Sequence, residues 1–179
     1  MKKSVGLLIM TKLGGNLVAV LQKRGGCNHE NEMRPESLPG GCQVTVHETA
    51  LDVEEDTFKC LMRGVNEELG EAVGRMVQER AESNFSRLKT LYFIETSEKV
   101  VLTFGIELAP GFFKSVRLNA STGGLVPITE HELIFLKNLT EFDRHVGVLC
   151  RTDIAMFPDE IESVKKAFEI FGTDGLSTN

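Results

Sequence analysis

The segment from Asp56 to Gly70 leaves this chain the least freedom. Phe58, Leu61, Met62, Val65 and Leu69 recur at the spacing of one helical face. Asp56 is placed to cap the start, and Gly70 follows Leu69 where a helix ends on a residue that tolerates positive φ. The spacing predicts a helix over Thr57–Leu69 with Arg63, Glu67 and Glu68 beside its apolar stripe. Arginine four residues before one carboxylate and five before the next puts opposite charges within reach across one turn. Glu67 and Glu68 are neighbours and repel. On a solvated face water compensates that repulsion; in a pocket a divalent cation usually does.

Around this helix the pattern alternates between strand and helix. Val5–Thr11 reads as a buried strand, Gly14-Gly15-Asn16 as a turn, and Leu17–Gln22 as the second arm of a hairpin. Leu38-Pro39-Gly40-Gly41 is a tight turn into a short strand over Cys42–Val46, and Thr49–Glu55 reads as an inserted loop. Glu71–Glu82 is helical in pattern. Leu88–Glu95 and Lys99–Leu108 form a strand pair around Thr96-Ser97-Glu98. Ala120–Gly124 reads as a loop, and Pro127–Glu132 opens a helix with a Thr129/Glu132 capping box. Pro158 starts a final amphipathic helix that Gly172 closes. One domain over residues 1–172 and a loose tail over 173–179 are expected.

Net charge is −6, which argues against a general binder of polymeric nucleic acid. A small phosphorylated ligand is still compatible, because a metal ion can screen its charge locally. No apolar run reaches the roughly 18 residues of a membrane span, so no membrane association is expected and a cytoplasmic location follows as the default. Cys27, Cys42, Cys60 and Cys150 form no C-x-x-C pair and read as free thiols. Zinc on Cys27, His29, Cys42 and His47 is a weaker alternative, since the spacings match no familiar site.

Glu55, seven residues, Arg63, then Val65, Glu67, Glu68 and Gly70, with Leu-Pro-Gly-Gly upstream, resembles the signature of the Nudix hydrolases. There are three departures. Gly64 stands where the signature has glutamate, Glu71 replaces an aliphatic residue, and Gly41 lies about eight residues too far from Glu55, as if a loop had been inserted. The resemblance implies an α/β/α sandwich with a mixed β-sheet between helices. It also implies Mg²⁺- or Mn²⁺-dependent hydrolysis of the pyrophosphate bond in a small nucleoside diphosphate derivative. By the same resemblance Glu67 and Glu68 are metal ligands, and Arg63 pairs with Glu55. Gly40 and Gly41 let the backbone approach metal or phosphate, and Gly70 ends the helix. Arg24, with Lys23, is a candidate phosphate contact. Nudix proteins often dimerise, so a homodimer is open to this chain.

Gly64 can neither bind metal nor accept a proton. Glu71, Glu130 or Glu132 could supply the missing acid, with His131 beside them. If the site is instead an eroded version of the family's, Gly64→Glu is expected to raise activity or metal affinity; no gain would mean that another acid already fills the role or that the pocket is no longer built for metal. The alternative is a catalytically weakened domain that binds a nucleotide or partner and regulates.

Overall fold

The computed structural model describes residues 1–25, 27–28, 34–35, 41–119, 122–138 and 153–174. In chain order the strands are β1 (Lys2–Leu13), β2 (Asn16–Arg24), β3 (Cys27–Asn28), β4 (Arg34–Pro35), β5 (Cys42–Gln43) and β6 (Val46–Thr49). Helices α1 (Thr57–Leu69) and α2 (Glu71–Ser83) follow, then β7 (Lys89–Glu95), β8 (Lys99–Glu107) and β9 (Thr122–Thr129). The short strands β10 (Leu136–Asn138) and β11 (Ile154–Met156) pair in parallel, and α3 (Pro158–Asp174) closes the chain.

β1 is the spine of a mixed sheet. It pairs antiparallel with β2 and β6 and parallel with β8. Its side chains alternate between two cores, as a strand covered on both faces requires. Val5, Leu7 and Ile9 meet Leu61, Val65, Leu69, Val73 and Val77 of α1 and α2. Leu8 and Met10 meet Ile161, Val164 and Phe168 of α3. The result is an α/β/α sandwich, as expected. Gly14 and Gly15, at φ 57° and 86°, make the tight hairpin between β1 and β2.

Beyond this hairpin β1 and β2 diverge, and the chain from β5 to β6 fills the fork. β5 pairs with Gln22 and Lys23, while β6 pairs with Ser4 to Leu7. At the branch point the buried Thr45 hydroxyl accepts from Ile9 N at 2.7 Å and donates to Val20 O, so the two parted backbones keep their bonds. The single strand expected over Cys42–Val46 is therefore two short strands.

α1 has the bounds that its pattern predicts. Asp56 Oδ1 accepts from Lys59 N at 2.9 Å. Gly70, at φ 92° and ψ 153°, is not in the left-handed helical cap expected but in an extended positive-φ state that is essentially glycine's own. It turns the chain directly into α2.

Other expectations are corrected. Ala120–Gly124 and Pro127 were expected as loop and helix start, but Thr122–Thr129 is a strand along β2. Among the described residues β9 pairs with β2 alone. It is an edge, where proline is tolerated because one side of its backbone needs no partner. The helical turn begins at Glu130 and keeps the Thr129/Glu132 capping box. Pro110–Ser115 forms a 3₁₀ turn. α3 continues through Gly172 to Asp174.

Candidate active site

Arg63 organises the acidic end of α1. Its Nε and Nη2 reach the two oxygens of Glu55 at 3.4 and 3.2 Å, Nη2 donates to Thr49 O at 2.9 Å, and Nη1 meets Glu48 Oε1 at 3.1 Å. The fork of the guanidinium suits this paired recognition. Glu55 also accepts from Leu51 N at 2.7 Å. The Arg63 hydrogen bond, then that backbone bond, hold Glu55 below the usual carboxylate range. The loop between β6 and α1 is thus tied to the helix at both of its ends.

Glu48 was not foreseen as part of this site. It sits on the same face of β6 as Val46 and packs on Gly64. A Cβ at Gly64 would lie 2.7 Å from Glu48 Cβ and 3.1 Å from Val46 Cγ1. The glycine in the acidic position is therefore a packing requirement, and Gly64→Glu has no room to restore an acid. The period-2 alternation Val46, Glu48 was the one sequence signal that could have placed this carboxylate.

Glu67 and Glu68 leave the helix in different directions. Glu67 is half exposed and lies 4.0 Å from Arg63 Nη1. Glu68 reaches inward, where Oε1 accepts from His47 N at 3.3 Å and Oε2 is buried without a hydrogen-bond partner among the described residues. Burial pushes the Glu68 carboxyl up to about 8, and the Gln22 amide and the His47 N–H offset only part of that cost. Gln22 is itself held by Gln43 and by Thr122 Oγ1 at 2.9 Å.

Across the same histidine lies Glu160 of α3, 4% exposed, with Oε1 3.6 Å from His47 Nδ1 and Oε2 unpartnered among the described residues. Burial opposes a charge on His47, but its hydrogen bond to Glu160 and the nearby carboxylates outweigh this and raise it above its ordinary range.

Gly41 and Arg24 come together at this end of the sheet, where Arg24 N donates to Gly41 O at 2.8 Å. The Arg24 guanidinium lies 6.0 Å from the centre of the Phe157 ring. Gly40 lies outside the described residues. Glu130 is carried away from the site. β9 starts beside Arg24 but runs antiparallel along β2 until Thr129 pairs with Val18, about 20 Å along the strand. Glu132 is used in the capping box, and Glu71 is exposed beside Arg75. Of the zinc alternative, Cys42 is buried, and burial pushes its thiol up to about 11; His29 and the Cys27 side chain lie outside the described residues.

Among the described residues no three His, Cys, Asp or Glu side chains converge as a metal cage. Mg²⁺ does not need one. It commonly takes one or two carboxylates, several waters and the oxygens of a bound phosphate. The unpartnered Glu68 Oε2 and the adjacent Glu67 fit that smaller set.

An α/β/α sandwich with carboxylates and arginine gathered at the end of its first helix defines the class. No protein-family model and no curated protein sequence matches the chain, but solved structures do. A mutT/nudix family protein from Listeria innocua aligns over 98% of this chain and 97% of its own, at 15% identity and a TM-score of 0.58. RenU, a Nudix hydrolase from M. smegmatis, aligns over 96% and 86%, at 15% identity and 0.54. The NUDIX domain of Shewanella oneidensis NrtR, complexed with ADP ribose, aligns over 94% and 87%, at 9% identity and 0.53. The chain has the Nudix fold.

Proposed function

We propose that this chain is a Nudix-type pyrophosphohydrolase acting on a small nucleoside diphosphate derivative with Mg²⁺ or Mn²⁺ bound. The observation that carries this reading is Glu68 Oε2, a buried carboxylate oxygen without a partner among the described residues, next to Glu67 and one helix turn from Arg63. Leaving such an oxygen unsatisfied costs about 1–3 kcal/mol or more, and a cation removes that cost. Glu67 and Glu68 would hold the ion, which supplies charge neutralisation on the phosphates and a more acidic bound water. Arg63 keeps the helix end and its loop in place through Glu55, Glu48 and Thr49. Arg24 is offered as the phosphate contact beside Gly41. In the reaction a water oxygen bonds to phosphorus, the bridging P–O bond breaks, and the half-exposed Glu67 is the group open to pass the water's proton to solvent.

A second reading, a binding or regulatory domain without turnover, is favoured by one observation. The position of the missing acid is closed, and Glu48, which fills it, is engaged by Arg63 and by Thr49 N at 2.8 Å.

The two readings separate on a panel of nucleoside diphosphate derivatives, ADP-ribose among them, assayed for product release with Mg²⁺ or Mn²⁺. Hydrolysis predicts turnover that Glu67→Gln and Glu68→Gln each reduce by about a hundredfold or more, the scale of losing a catalytic electrostatic group. Calorimetric binding of the same compounds with no product at any metal concentration would establish the second reading instead.

A further inference from the structure

We propose that the cleft between the C-terminal half of α2 and the Pro110–Ser115 turn is a second ligand site, for a small molecule that joins a phosphate or carboxylate group to an apolar body. Its cavity is about 620 Å³, within the range of about 300–1,000 Å³ typical of small-molecule pockets. The floor is apolar, with Met76, Leu108 and Phe112 belonging to the core beneath α2. The walls carry Lys12 from the end of β1, Arg80 from α2 and Arg87 from the turn that follows it. Among the described residues none of these three side chains has a carboxylate within ion-pair distance. Arg63 and Arg75, on the same helix pair, both do. In a chain with 26 acidic and 20 basic residues, cations that the described acids leave unpaired over an apolar floor are ready for an anion from outside.

An adjoining cavity of about 280 Å³ shares Arg80, Arg87 and Glu107 and adds Lys89. Together the two spaces present Lys12, Arg80, Arg87 and Lys89 against Glu79 and Glu107, so cations outnumber acids by two. The two guanidinium forks suit the paired oxygens of a phosphate or carboxylate. The carboxylates of Glu79 and Glu107 suit a hydroxyl or amine on the same molecule and disfavour a polyanion.

This cleft is remote from the Nudix-type acids. On β1, Gly6 pairs with His47, whose N–H reaches Glu68, whereas Lys12 lies six residues further along. That is about 20 Å of strand. The site therefore stands or falls separately from hydrolysis.

Phenyl phosphate, which couples one phosphate to an apolar ring, is the probe, titrated calorimetrically into metal-free protein alongside inorganic phosphate. The ring should tighten binding over phosphate alone. Arg80→Gln and Arg87→Gln should each weaken it by about tenfold, the scale of one charge-assisted hydrogen bond, and Glu79→Gln should not weaken it. Glu67→Gln should leave it unchanged. No heat with phenyl phosphate at millimolar concentration, equal binding of both probes, or binding that survives Arg80→Gln and Arg87→Gln would overturn the proposal.

Discussion

Gly64 shows how one missing side chain can be imposed from across a packing boundary. In an exposed helix, Gly→Ala gains about 1 kcal/mol. Here the new methyl would press on Glu48 and Val46, and overpacking of a tight core costs about 1–3 kcal/mol. Gly64→Ala is therefore expected to lower stability, measured as a reduced urea midpoint with an unchanged slope. The acids of α1 were legible in the sequence because they lie within one helix, where spacing fixes direction. Glu48 was not, because it is 16 residues from Gly64 and nothing local says that a strand will lay its side chain on that helix. His47 and Glu160 were hidden for the same reason at greater separation.

At the scale of elements, α1 was readable to its ends because three signals agreed: apolar period, cap and terminating glycine. Its Asp56 cap makes the agreement testable. Asp56→Ala removes the bond to Lys59 N and should cost about 1 kcal/mol, seen in thermal unfolding without loss of the fold. β9 was unreadable by the same logic. Gly123, Gly124 and Pro127 all argue locally against a strand, and only its place at the sheet edge, with β2 supplying partners on one side, makes them tolerable. That strand also decides where Glu130 goes, so the course of one element sets the place of a candidate site residue.

For the whole molecule the buried acid should set a pH response. Glu68 titrates near its ordinary 4.5 when unfolded and at about 8 when folded. Between these values the unfolded chain releases a proton that the folded chain keeps, so metal-free stability should fall as pH rises from about 5 to about 8. His47 adds to the trend: its raised value gives stability below 6.5 that is lost as pH climbs through the folded value. Melting temperatures across this range should decline in metal-free protein, and Glu68→Gln should flatten much of the slope; a flat profile in the unmodified chain would count against a buried, protonated Glu68.

The grip of Arg63 on Thr49 O and on Glu55 has a consequence for how such a chain can vary. Both ends of the intervening bight are buckled to one guanidinium, so residues 50–54 form a closed strap. Extra length gained there bulges into solvent without pulling on the acids of α1. Insertions at this point are therefore cheap for descendants of the fold to accumulate, while a change of Arg63 itself would unfasten both ends at once.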